Sequence, residues 1–404
     1  MCGLFTLHPL SLLLGCLLLV VSILSVEGHG RRSISQLTPK ELNTLVSSLN
    51  ASQSVDPVSS FSHLSKILIP RSPGTANSTL VRNYILTTLR ALKWHIEEDS
   101  FDASTPYGTK TFTNVIATKD PGAPFKFVLS AHYDSKFFPS HPKNQFVGAT
   151  DSAAPCAMLL DLAQALDPLL DRRTERFVAG EDDEDANPAA YTTLQLIFFD
   201  GEEAYKEWSA TDSTYGSRHL AEKWSKTYVQ ANPRQRLYAP ASVLSTIEHL
   251  VLLDLLGAPA PRVHSFFPST AWLFDALISA ESRLQHAGFL ANSNARGPEK
   301  KPKSFFTTRK PTDGQNVLGW IDDDHMPFLK RGVNILHLIA TPFPAVWHTV
   351  KDDATALDLP TMRKWNLILR VFTAEYLGLR PEVPSSKEVD PTPRTELVRT
   401  ALDI

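Results

Sequence analysis

Along this 404-residue sequence, acidic and imidazole side chains stand where apolar runs stop. Residues 194–204 read Leu-Gln-Leu-Ile-Phe-Phe-Asp-Gly-Glu-Glu-Ala, a buried-strand pattern that breaks at Asp200-Gly201 and is followed at once by two carboxylates. The carboxyl ends of strands in an α/β sheet border the crevice that holds ligands, so Glu202 and Glu203 are expected to project into it. Neighbouring carboxylates repel unless a cation neutralises one, and the chemistry that suits them is a bound metal on one and proton transfer by the other. A solvated acidic turn is the alternative reading of this stretch by itself. His132, Asp151, Asp254 and His348 occupy similar places beside apolar runs. Taken singly, such a His is most often a hydrogen-bonded core or loop residue and such an Asp a helix cap. Together they make an oxygen and nitrogen donor set without cysteine, which suits a catalytic zinc with an open position better than a closed structural site.

The elements that must carry these residues alternate. A helical pattern begins at residue 78, with Val81, Tyr84, Ile85, Leu89 and Leu92 on one face and Ser78 or Thr79 as its cap. Residues 94–98 and 113–118 read as strands joined across the turn-rich 102–108. A strand over 125–132 runs into Tyr133-Asp134-Ser135, and residues 148–152 open a helix continued by Leu159, Leu160, Ala163 and Leu166. Residues 171–190, which contain Glu181-Asp182-Asp183-Glu184-Asp185, break the periodicity and are expected to form a solvated, mobile insertion. A helix from Tyr215, a strand over 248–257, a helix over 272–286, a strand over 333–339 and a helix over 360–377 complete the series. This alternation predicts an α/β fold with a largely parallel sheet covered on both faces.

Composition narrows the function. With 43% hydrophobic and 21% charged residues the chain can build one large core, and a net charge of −3 with no basic stripe sets nucleic-acid binding aside. Residues 1–28 carry an apolar run at 10–26 and read as a signal peptide cut near Gly28, with an uncleaved signal anchor in the membrane as the alternative. Asn50-Ala51-Ser52 and Asn77-Ser78-Thr79 are glycosylation acceptors, so the expected destination is the secretory pathway: secreted, or in the Golgi or ER lumen if the leader stays. Residues 29–60 read as a polar stem and 381–404 as a Pro-rich, disordered tail. Cys156 alone remains outside the leader, which rules out an intrachain disulfide in the mature chain. At the start of an apolar helical run, it is expected to behave as a small buried hydrophobe.

Several segments taken together resemble one family. Gly148-Ala149-Thr150-Asp151-Ser152-Ala153, Phe199-Asp200-Gly201-Glu202-Glu203-Ala204, Trp208, Tyr215-Gly216-Ser217-Arg218-His219-Leu220, Leu253-Asp254-Leu255-Leu256-Gly257-Ala258, Asp323-Asp324-His325 and Val346-Trp347-His348-Thr349 look like the animal-type glutaminyl-peptide cyclotransferases. The order is kept over residues 67–379. The resemblance implies a single domain over 61–380, built on a mixed sheet with flanking helices and sharing its fold with the zinc aminopeptidases. It implies a monomeric acyltransferase that turns the N-terminal Gln (and, by extension, Glu) of peptides and proteins into pyroglutamate, releasing ammonia from Gln. Carried over residue by residue, it makes Asp151, Glu203 and His348 the ligands of one zinc per chain and Glu202 the acid/base. Asp254 and Asp323 become the hydrogen-bonded network beside Glu202, and Trp208, Trp347, Ile321 and Phe343 the walls of the substrate pocket.

Two departures from the family stand out. Many secreted members pair a cysteine ahead of the His-Tyr-Asp motif with the one matching Cys156, whereas Ala131 fills that place here, so the resemblance implies that this disulfide is lost. The acidic insertion has no counterpart. A zinc aminopeptidase is the main alternative, because His132 and Asp254 stand where that related family holds a second zinc. An inactive binding ectodomain is a second alternative, disfavoured because all three ligands and Glu202 are present.

Overall fold

Alternating apolar strands and amphipathic helices assemble as a six-stranded sheet in the computed structural model, which describes residues 34–179, 188–229, 242–291, 303–307 and 321–383. The strands are β1 (His95–Thr105), β2 (Gly108–Thr118), β3 (Phe125–His132), β4 (Thr192–Phe199), β5 (Ile247–Asp254) and β6 (Ile335–Ile339). They lie in the order β1-β2-β4-β3-β5-β6. The hairpin β1-β2 and the pair β2-β4 are antiparallel, whereas β4-β3, β3-β5 and β5-β6 are parallel. Parallel strands share a carboxyl edge, so His132, the Glu202-Glu203 turn and Asp254 are delivered to the same side. The leader, the run at 181–185 and residues 384–404 of the tail lie outside the described residues.

The two-residue period of the strands sorts side chains between two cores. Phe127, Leu129, Leu196, Phe198, Val251 and Leu253 face one core with helices α1 (Pro39–Ser47), α2 (Ala76–Ala91), α3 (Ala154–Val178), α5 (Ala271–His286) and α6 (Leu359–Tyr376). Val128, Ile197, Phe199, Leu250 and Leu252 face the other, covered by α4 (Tyr215–Lys226) and Phe328. All eight residues of β4 are buried because it sits between β2 and β3 with both faces covered. Burying one such Leu or Phe side chain contributes about 1.5–3 kcal/mol. The layered core is therefore the rigid frame on which the strand-end loops stand.

Three sequence expectations need correction. Residues 171–178 do not open an insertion: they are the last two turns of α3, held by Lys119, whose Nζ reaches Asp167 at 2.5 Å and Asp171 at 2.7 Å. The run of charge masked a helix that was already committed by the buried Leu169 and Leu170. The described part of the presumed stem is also packed. Thr38 caps α1 in a capping box with Glu41, and Leu42 and Leu45 are buried. Arg370 on α6 donates to Leu49 O and to Asp161, and Ser54 Oγ donates to the same Asp161 at 2.6 Å. This segment reads as polar because much of its docking is done by polar contacts. Finally, β1 is eleven residues long and turns at residues 106–107, so 102–105 are strand.

Candidate active site

Asp151, Glu203 and His348 come from three separate elements. Asp151 lies in a single π-turn, Ala149–Ala153, at the entrance to α3. Gly148 precedes it at φ +59°, and a side chain there would meet the Asp151 carbonyl oxygen, so only glycine admits this turn. Arg71, fully buried, donates to Tyr133 O at 2.6 Å, to Val147 O and to Gly148 O, tying the exit of β3 to this turn. Asp352 closes the other side: its backbone oxygen and Oδ1 take the N–H groups of Ala149 and Thr150, both at 2.9 Å. The loop bearing His348 is thereby joined to the turn bearing Asp151. Gly201, at φ +74°, turns the chain after β4 and presents the Glu pair.

Within this frame, one ligand-type atom from each of the three residues lies within 4.8 Å of the others. His348 Nε2 is 3.2 Å from Glu203 Oε1 and 3.4 Å from Asp151 Oδ2. Burial alone would lower the His348 pKa, but the hydrogen bonds and charges of Asp151 and Glu203 push it up to about 9. Burial would raise the Asp151 carboxyl, yet the hydrogen bond from His132 and the close imidazole of His348 hold it well below the usual carboxylate range. Both shifts report the same demand for positive charge between the carboxylates. Asp151 Oδ2 is buried and makes no hydrogen bond. A metal ion fits this place, and a carboxylate pair with one imidazole is a donor set of the zinc type. Lys136 Nζ meets the other oxygen of Glu203, Oε2, at 3.3 Å and Ala204 O at 2.9 Å. His348 itself is held at φ 55° with its ring stacked on Trp347, centroids 3.9 Å apart, and edged by Phe146. Backbone outliers of this kind cluster at functional sites.

Glu202 is buried beside the trio. Burial, then the charges of Asp323, Glu203 and Asp324, push its carboxyl well above the usual range, against the opposing pull of His132. Asp254 is pushed up to about 6, by burial first. Its Oδ1 takes the Ser152 hydroxyl and, at 2.8 Å, the Leu255 N–H. Asp323 is held below its usual value: burial opposes this, but the hydrogen bond from His337 Nε2 at 2.8 Å, the charges of His337 and His325 and the Asp324 N–H together outweigh it. The expected catalytic carboxylates therefore share one buried cluster of interacting charges. The residues expected to wall the pocket also lie near one another. Trp208 and Trp347 are about two-fifths exposed, Phe343 packs edge-on to Trp347 at 5.0 Å, and Ile321 joins Phe343 around Leu255 and Ile339. Trp208 Nε1 donates to Asp322 Oδ2 at 3.2 Å, next to Ile321.

Some members of the site were not singled out from sequence. Asp134 and Lys136 lie in the polar run leaving β3, a signal of the same kind as the Glu pair. His337 stands alone in the otherwise apolar β6. Two further groups of ligand-type atoms occur among the described residues: His132, Asp151 and Asp254, and Asp323, His325 and His337.

Fold and site together define a class. The model of peptidase family M28 matches residues 114–373, and a zinc-dependent exopeptidase from Parabacteroides distasonis shares the fold, with a TM-score of 0.51 at 19% identity over 84% of this chain and 99% of that one. A narrower group within that class is marked out by the sequence relatives. A glutaminyl-peptide cyclotransferase-like protein of Bos taurus is 45% identical over 87% of this chain and 80% of its own length, and a Bos taurus glutaminyl-peptide cyclotransferase is 43% identical over 78% and 81%. The crystal structure of Macrostomum lignano glutaminyl cyclase superposes with a TM-score of 0.71 at 34% identity, covering 87% of this chain and 97% of that one. The chain belongs to the glutaminyl-peptide cyclotransferase family.

Proposed function

We infer that this chain is an acyltransferase that cyclises N-terminal Gln of peptides and proteins to pyroglutamate, with Asp151, Glu203 and His348 holding one zinc ion. The observation that carries the reading is the pairing of that ligand trio with a second, non-ligand carboxyl, Glu202, buried and held toward its protonated form behind an aromatic rim. Zinc, when bound, supplies Lewis acidity toward a carbonyl oxygen. The aromatic walls exclude water and hold the substrate folded so that its α-amine lies against the carbonyl carbon of its own side-chain amide, an entropic task. Glu202 takes a proton from the amine as the new N–C bond forms and returns it to the amide nitrogen as that C–N bond breaks and ammonia leaves. Burial and neighbouring carboxylates raise the proton affinity of this carboxyl toward that of the amine, which eases proton transfer in both directions. Asp254 and Asp323 hold the surrounding charge. No protein nucleophile is required, since the amine belongs to the substrate.

One ion is favoured over two because Asp254 Oδ1, the oxygen 3.5 Å from His132 Nε2, already takes the Ser152 hydroxyl and the Leu255 N–H. A two-metal aminopeptidase is therefore the lesser reading. Mass spectrometry of a Gln-peptide after incubation decides: loss of ammonia supports cyclisation, loss of a residue supports hydrolysis, and an unchanged peptide removes both. Glu202→Gln is expected to keep the metal and lower kcat by roughly 10²- to 10⁴-fold, while Glu203→Gln weakens metal binding. The reverse pattern would exchange the two roles. We also infer passage through the secretory route, supported by the apolar leader and by the exposed acceptor Asn50. Sequencing the mature N-terminus tests whether the leader is cut.

A further inference from the structure

Asp134 leaves β3 two residues after His132 and is completely buried. Its Oδ1 accepts the Glu202 N–H at 3.2 Å and its Oδ2 accepts the Glu203 N–H at 3.3 Å. Oδ1 also lies 3.4 Å from His132 Nδ1, a buried nitrogen with no hydrogen-bond partner. We propose that Asp134 is a positioning residue that fixes how the Glu pair divides its work. The proposal rests on the reading of Glu202 as acid/base and Glu203 as ligand.

The physical case begins with the sheet. The backbone pairing of β3 with β4 ends as Tyr133 N–H reaches Phe199 O at 2.8 Å, and beyond it the ladder offers Glu202 and Glu203 no partner. Two successive N–H groups converging on one side make a small anion nest. Only a side chain with two acceptor oxygens side by side and no hydrogen between them satisfies both. An ionised Asp meets that requirement; an Asn of the same shape offers one oxygen and turns its NH2 toward the other N–H. Gripping both amides fixes the peptide plane between Glu202 and Glu203. That plane determines that one side chain reaches the trio while its neighbour stays out of it. Without the grip, that peptide unit is held only at its carbonyl, by the Thr214 N–H on Glu202 O at 2.8 Å, and the two carboxylates lose their tie to the exit of β3. Mutation of supporting groups of this kind costs about 10–100-fold in metal affinity or activity.

The test compares zinc-loaded wild type with Asp134→Asn in three measurements: zinc affinity by chelator competition, kcat and KM on a Gln-peptide, and amide hydrogen exchange of the peptide spanning 200–204. The expected result is at least 10-fold weaker zinc binding, a fall in kcat of the same order with KM within about 2-fold, and faster exchange confined to that segment. Zinc affinity and kcat equal to wild type overturn the proposal. So does a loss that merely tracks the fraction of unfolded protein in each sample. If Asp134→Asn does not fold, wild-type exchange decides: protected Glu202 and Glu203 amides support the grip, and exchange at the rate of an open loop removes it. Should wild type release no ammonia, the functional reading fails on its own, and zinc affinity and exchange still judge Asp134.

Discussion

Replacing Gly148 with alanine tests whether the turn ahead of Asp151 sets the metal site. A Cβ at this position would lie 2.1 Å from the Asp151 carbonyl oxygen, and 3.2 Å from both the Asp151 carbonyl carbon and Cε1 of Phe146. Relieving the first contact requires a shift of about 1 Å, the difference between 2.1 Å and ordinary nonbonded approach. Gly148 itself is poorly placed to give way, since Ala153 N–H closes on its carbonyl at 3.1 Å and Arg71 holds the carbonyls of Val147 and Gly148. The displacement therefore falls on Asp151. Catalytic constellations work within about 0.5 Å, and a misplacement near 1 Å costs on the order of 10²-fold in rate. The left-handed backbone adds about 1–2 kcal/mol of strain for alanine. Gly108→Ala is the control: it shares a positive φ, +85°, but its Cβ would meet nothing within 4 Å. Zinc affinity, kcat/KM and Tm are measured on both. Gly148→Ala is expected to lose about 100-fold in kcat/KM together with metal affinity, whereas Gly108→Ala loses only a few degrees of Tm. Wild-type metal affinity and kcat/KM in Gly148→Ala would refute the reasoning.

Other outcomes follow from the same geometry. His348→Ala is expected to lower metal content and activity together, because one of the three proposed ligands is gone; activity lost at full metal content would contradict its role. Cys156 donates its S–H toward His132 O, and burial pushes its thiol up to about 12, so a thiol reagent should react only once the protein unfolds. Burial, and then the charge of Asp134, pushes the Asp200 carboxyl from 3.8 up to about 8. The folded state thus keeps a proton that the unfolded state releases above pH 3.8, and stability falls as pH rises through that window by up to about 1.4 kcal/mol per unit. Asp200→Asn removes this proton, so its stability relative to wild type should climb from pH 5 to pH 8 in urea unfolding; parallel curves would rule the assignment out.

The sheet was legible because its central strands are largely apolar and end abruptly. The run at 194–199 and the break at Asp200-Gly201 are visible from residue types alone, and β4 lies where they put it. The trio and the aromatic rim needed the family resemblance, because Trp208, Ile321 and His348 are far apart in sequence and nothing local says they meet. Positions that work through backbone contacts stayed hidden. Arg71 and Asp352 bind carbonyls and N–H groups, which every residue carries, so no pattern in the sequence announces them. The packing of α1 was hidden for a related reason, since its neighbours on α6 come more than 300 residues later.

That distance has a consequence for how the chain is made. Leu37 N–H bonds Glu375, Ala51 O takes Asn366, and Leu49 O takes Arg370, across 338, 315 and 321 residues. Emerging from a ribosome at about 5–20 residues per second, the amino-terminal arm waits on the order of half a minute for its partner helix. For that interval Leu42, Leu45 and Val55 have no completed core to enter. Among the described residues, the last helix to be synthesised is the one that closes the core, so a nascent chain halted before residue 359 should be held by chaperones and a released full-length chain should not.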